Sequence, residues 1–239
     1  MTLEVLLDEL RAVFGGDLQT VLLYGSAATG EEIARRSDYN VLVIVRALPL
    51  ERLEDGGAHI EAWVRAGNPP PLVLTLDEWR SSADVFPIEY ADILERHRVL
   101  HGTLPTEGIT VDAGALRLAA EREAMGKLLQ LRRGVLAAGA DPARRAELLA
   151  ASLSTFLAIF RGALRVHGVR PAADADGVCR ETARVAGIDA VPFLRVLDHK
   201  RGRVALPPAE VHDVLGGYLA GIERLVAHLD QATPAGRVG

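Results

Sequence analysis

Apolar residues recur at helical spacing at the start of the chain, at Leu3, Leu6, Leu7, Leu10 and Val13. Thr2 stands where a cap would, and Gly15-Gly16 follows, so the pattern predicts a helix over about 2–14. Two short apolar runs come next. Thr20–Tyr24 predicts a buried strand ending in the turn Gly25-Ser26, and Asp38–Val45 predicts a second strand, apolar on both faces beyond its first residues. A helix is predicted over about 50–65, weakened by Gly56-Gly57 and broken by Asn68 and Pro69–Pro71. Pro71–Thr75 predicts a third strand and Asp77–Ser82 a short helix. Phe86–Ile93 predicts a fourth strand, with Pro87 placing it near an edge or bulge.

Beyond about residue 112 the period is helical throughout. Helices are predicted over about 113–138, from Asp141-Pro142 to about His167, over 177–186, over 191–198, and from Pro207-Pro208 to about Leu229. Leu128, Leu131 and Val135, with Leu153, Phe156, Ile159 and Phe160, are the expected bundle core. The turn-rich stretch Gly102–Gly108 is the expected linker. The fold class expected is α+β: a small mixed-sheet domain over 1–107, a helical bundle over 108–231, and a frayed tail over 232–239.

Composition narrows the function classes. The net charge of −5, from 27 basic and 32 acidic residues, and an aromatic content of 5% argue against a nucleic-acid binder. Among the basic residues only Lys127 and Lys200 are lysines, so single arginines carry little signal. The one cysteine, Cys179, excludes an internal disulfide and a cysteine-based zinc site, and reads as a buried small residue. The strongest unbroken apolar run, Val41–Val45, falls far short of a membrane span, and an acid, Glu4, stands where a signal sequence wants a basic flank. A cytoplasmic protein is expected.

Chemistry concentrates in Leu22–Gly30 and Ser37–Val45. A strand ends in Gly25-Ser26. Glycine lets a backbone pass close to a ligand, serine adds a hydroxyl and an amide, and a following helix N-terminus would add N–H donors for phosphates. Eleven residues separate Ser26 from Asp38, and Asp38 and Asn40 share one face of the next strand. Carboxylates so placed can hold Mg²⁺, and a third acid from a neighbouring strand would complete a two-metal site or act as base.

The Gly-Ser turn, this spacing, and Ser-Asp-Tyr-Asn leading into an apolar strand resemble the nucleotidyltransferase superfamily, which includes polymerase beta and the kanamycin and minimal nucleotidyltransferases. The matching region is about 18–46, and the helical half resembles the kanamycin-type layout. The resemblance implies transfer of a nucleoside monophosphate from an NTP to a hydroxyl of a small molecule or protein, using one or two Mg²⁺ ions. It implies that Gly25 and Ser26 bind phosphates and that Asp38 and Asn40 hold metal. Lys127 would reach the triphosphate from the helical half. Asn40 departs from the family, because an amide oxygen brings no charge to the metal. The alternative is a catalytically degenerate nucleotide-binding or regulatory module, one component of a toxin–antitoxin-like pair. The remaining partner expectations are an unidentified acceptor and either a homodimer or a protein partner, with no membrane.

For the third acid, metal ligand or base, Glu89 is expected ahead of Asp92 and Asp84. Phe86, Ile88 and Tyr90 would form the opposite, apolar face of a strand. His97 and His101 suggest a metal pair but read as surface histidines. Arg161 and His167 fit the Arg-x(4–6)-His pattern of HEPN ribonucleases, yet 7 histidines among so many arginines give about two such matches by chance. Arg117 and Glu121 read as an i, i+4 ion pair on a solvated helix face.

Overall fold

The computed structural model describes residues 1–28 and 39–233. The chain divides into two compact units. One holds the described chain through Val85 together with Asp92–Ile109. The other holds Phe86–Ala91 and the chain from Thr110 on.

The first unit is built on a four-stranded mixed sheet in the order β3-β2-β1-β4. Strand β1 (Leu18–Tyr24) is antiparallel to both β2 (Asn40–Val45) and β4 (His97–Gly102), while β3 (Leu72–Thr75) is parallel to β2. Both faces of the central pair are apolar, as the two runs predict. Val21, Leu23, Val41, Val43 and Val45 join one core cluster with Trp63. Leu22, Leu42 and Ile44 point the other way and are equally buried.

Helix α1 (Leu3–Phe14) lays Leu6, Leu10, Val13 and Phe14 into that cluster. Thr2 caps it by accepting from the Val5 amide at 3.4 Å. The predicted helix over 50–65 is two, α2 (Leu50–His59) and α3 (Glu61–Arg65), meeting at Ile60 just after the glycine pair. Trp63 donates its indole N–H to Pro69 O at 2.8 Å, tying α3 to the proline break. Helix α4 (Leu76–Ser81) starts with a capping box between Thr75 and Glu78, and Trp79 donates to Pro105 O at 2.7 Å.

One predicted strand is a helix. All of Phe86–Ile93 beyond Phe86 lies in α5 (Pro87–Glu95), which opens on Pro87, where a missing N–H costs nothing. Its buried residues, Ile88, Tyr90, Ala91 and Ile93, follow a helical period, which the alternation of Phe86, Ile88 and Tyr90 imitates over five residues. The fourth strand is the next segment, β4, for which the pattern of the sequence predicts no element. Gly102 ends it with φ +69°, and a Cβ there would lie 1.9 Å from Gln19 O, so β4 closes on β1 only through a glycine.

The second unit is a bundle of α6 (Ala113–Ala138), α7 (Pro142–Val166), α8 (Ala175–Ala186), α9 (Val191–Lys200) and α10 (Val211–Gln231). Aspartates cap three of these helices: Asp112, Asp141 and Asp174 accept from amides at 2.8, 2.9 and 2.7 Å. The last helix starts at Val211, after a turn that follows Pro207-Pro208. Leu128, Leu131, Leu153, Phe156, Ile159 and Phe160 are buried, and Val135 is half-buried. The aromatic centre is Phe160, Phe193 and Tyr218, with ring centroids 5.0 and 4.6 Å apart along the series. Among the described residues α7 is the one helix long and apolar enough to cross a membrane. Its large apolar residues Leu149, Leu153, Phe156, Leu157, Ile159, Phe160, Leu164 and Val166 lie in the bundle core.

Two predictions follow from these contacts. Gly102→Ala must move backbone as well as adopt a disfavoured φ, and should cost more than about 2 kcal/mol in chemical denaturation. His59 joins α2 to α1 through a hydrogen bond with Glu9, with Asp55 at 3.8 Å. The Glu9 hydrogen bond raises the His59 pKa above its ordinary value, against some desolvation, with the charges of Glu9 and Asp55 adding to the rise. A raised histidine pKa stabilises the fold fully below the ordinary value near 6.5, and that contribution vanishes as pH climbs through the folded-state value. His59→Gln should therefore lower the melting temperature at about pH 6 and leave it near wild type at about pH 9; an equal loss at both would remove the ion pair from the account.

Candidate functional site at the Gly25 turn

Register places the site. Tyr24, the last residue of β1, pairs with Asn40, the first of β2. Gly25 leaves the sheet with φ +76°. Its carbonyl accepts from Ala28 N at 3.2 Å, closing the single 3-10 turn Ser26–Ala28. A Cβ on Gly25 would lie 3.3 Å from the Asn40 side-chain nitrogen. The carboxamide of Asn40 is thus packed beside the glycine, half-buried, at the mouth of the turn. Ahead of it, Tyr39 rests its ring on Trp63, centroids 5.8 Å apart, which anchors the entry into β2 to the core. The structure therefore brings Gly25 and Asn40 together. Asp38 lies outside the described residues.

The acids do not fall where a strand-based site needs them. The two neighbours of β2 are β1 and β3, and among the described residues none of the four strands carries an aspartate or glutamate. Beyond the end of β3, Glu78 is committed to the α4 cap. Glu89 and Asp92 are on α5, three residues apart on a helix, so the strand parity that would separate their faces does not exist. Glu89 is exposed, and Asp92 is half-buried with Arg96 3.9 Å away. Asp84 sits in the exposed turn before α5. Among the described residues no three histidine, cysteine or acidic side chains are grouped to hold a metal.

The other singled-out residues have local roles. His97 Nδ1 hydrogen-bonds Ile93 O at 2.7 Å, and His101 Nδ1 meets Arg11 at 3.5 Å, so the two rings serve different partners. Cys179 is buried, and desolvation, helped by the Asp176 charge, pushes its thiol up to about 12. Arg117 pairs with Glu121 at 2.9 Å. Lys127, on α6, lines a pocket against α7 and donates to Gln130 at 3.2 Å.

Sequence reading missed two features of α7. Arg161 and Arg165 are buried in the bundle, hidden in the sequence by an arginine-rich background. His167, at the α7 C-cap, meets His228 of α10 with ring nitrogens 2.8 Å apart, a pairing that no spacing along the chain announces. Burial, then the neighbouring His167, lowers the His228 pKa.

No family model and no curated protein matches the sequence. Among solved structures, the chain is similar to spectinomycin adenyltransferase from Enterococcus faecialis, crystallised with ATP and spectinomycin. The TM-score is 0.62 over 95% of this chain and 98% of that one, at 12% identity. The fold is that of a nucleotidyltransferase. The likeness runs through both halves, the mixed sheet and the helices after it, so the nucleotidyltransferase fold accounts for nearly the whole chain.

The packing of Gly25 against Asn40 is directly testable. Gly25→Ala should cost about 1–2 kcal/mol in urea denaturation, from the positive φ and from the crowded amide. In an Asn40→Ala background the crowding share disappears and the φ share remains, so a double-mutant cycle should show positive coupling. Strict additivity would place the Asn40 side chain away from the turn.

Proposed function

We propose that the protein is a nucleotidyltransferase that transfers AMP from ATP to a hydroxyl of a small molecule, releasing pyrophosphate. The observation that carries this reading is the fold similarity, over 95% of the chain, to a spectinomycin adenyltransferase crystallised with ATP and spectinomycin. The turn at Gly25, with Asn40 packed beside it, supports it locally. In this reading the backbone at Gly25 and Ser26 lies along the triphosphate, where amide groups and a close approach favour phosphate oxygens. Asp38 and Asn40 would hold Mg²⁺, which when bound offsets triphosphate charge and polarises the phosphoryl oxygens. The Asn40 carboxamide fits such a position as a neutral oxygen donor held at the turn. Asp38 supplies the charge.

A second reading is favoured by a specific observation. Among the described residues the four strands carry no carboxylate, and the position two after Asp38 is an amide. An amide in place of a carboxylate removes one negative charge from a triphosphate–metal site, which then binds the metal more weakly and stabilises less transition-state charge. That arrangement supports a module that binds ATP without turning it over.

Calorimetric titration with ATP, with and without Mg²⁺, combined with pyrophosphate release over a panel of hydroxylated acceptors, separates the readings. The enzyme reading expects metal-dependent binding, and release that falls at least about 100-fold in Asp38→Ala. Binding without release, with release appearing in Asn40→Asp, selects the second. Absence of ATP binding under all metal conditions would overturn both.

A further inference from the structure

A second cavity lies wholly within the helical unit, between α6 and α7. It encloses about 240 Å³. That is below the roughly 300 Å³ at which small-molecule and cofactor pockets begin, so its occupant is smaller than a nucleotide. Leu131, Leu148 and Phe156 form an apolar floor. Lys127 and Gln130 from α6, and Ser152 and Thr155 from α7, supply the polar groups. Positions 148, 151, 152 and 155 follow one helical stripe, so α7 presents this wall as a unit.

The charge at this pocket is uncompensated. Lys127 is half-buried, and its hydrogen bond goes to the neutral amide of Gln130 at 3.2 Å. Among the described residues no carboxylate lies within ion-pair distance of it, and none lines the cavity. Two other cations of α6 are matched: Arg117 by Glu121 at 2.9 Å and Arg132 by Glu223 at 2.7 Å. Ser152 is held in place, donating to Leu149 O at 2.9 Å and meeting the Tyr218 hydroxyl at 3.1 Å. An ammonium with no counter-ion, beside a polar wall and above an apolar floor, favours a ligand with one anionic end and an apolar body.

We propose that this pocket binds a small amphipathic anion, a carboxylate or phosphate monoester, with the headgroup on Lys127 and the apolar part against Leu131, Leu148 and Phe156. The proposal rests on the groups that line this pocket and does not depend on the nucleotide reading. A polycation is the wrong ligand here, because nothing in the lining carries negative charge.

Calorimetry with octyl phosphate, octanoate and inorganic phosphate tests this on the full chain. Octyl phosphate or octanoate should bind with inorganic phosphate at least about tenfold weaker, and the tighter of the two amphiphiles identifies the headgroup. Lys127→Gln should weaken the amphiphile about tenfold, and Lys127→Arg should restore part of the loss. Ala151→Leu, which fills the pocket from its exposed rim, should abolish binding with an unchanged melting temperature, so that a folding defect in one variant does not decide the matter. Failure of both amphiphiles to bind at millimolar concentration, or binding indifferent to Lys127→Gln and Ala151→Leu, would overturn the proposal. So would displacement of octyl phosphate by ATP, which would assign Lys127 to the nucleotide instead.

Discussion

The antiparallel pairing of β1 with β2 is the constraint on which the candidate site depends. Both strands are buried on both faces, so a slip of one residue would exchange two apolar faces at no gain and break the pairing that runs regularly from Thr20 and Ile44 to Tyr24 and Asn40. The register that results sets Tyr24 opposite Asn40. Gly25 and Asn40 become neighbours because the ladder ends there, and the glycine leaves just enough room for the amide. Trp63 fixes the same end from outside the sheet, packing in the core while Tyr39 stacks on its ring.

Fold and chemistry part company at this point. The nucleotidyltransferase fold supplies a turn and a strand start, but the strands flanking β2 bring no acid to it. The geometry of a phosphate-binding corner is a backbone property and survives most substitutions. The charge at such a corner is carried by a few side chains, and a single substitution changes it. A fold likeness at 12% identity is therefore informative about the first and silent about the second.

The helical unit is organised differently. Three of its helices begin on aspartate caps, and an aromatic centre in which Phe193 lies between Phe160 and Tyr218 holds the bundle. Gly221 permits that packing, since a Cβ there would stand 2.8 Å from the Phe193 ring. Its polar features are consequences of packing rather than of motif: the His167–His228 contact, the buried arginines of α7 and the unpaired charge of Lys127 all arise where two helices meet.

The sequence by itself determined the elements whose signals are local. Caps, glycine stops and apolar periodicity delimit α1, α6 and α7 closely, and the two apolar runs specify β1 and β2, because each signal acts within a few residues of where it stands. The turn at Gly25 was legible for the same reason. Tertiary structure decided the rest. Phe86–Ile93 alternates over too short a span to distinguish two periods, and it is a helix because Pro87 starts one and its apolar residues are buried at helical spacing. His97–Gly102 is mixed in polarity, and it is a strand because the free edge of β1 offered it backbone partners and Gly102 allowed the approach. That β1 and β3, the described neighbours of β2, carry no carboxylate could be known only once strand order was fixed, since adjacency across a sheet is set by pairing, not by distance along the chain.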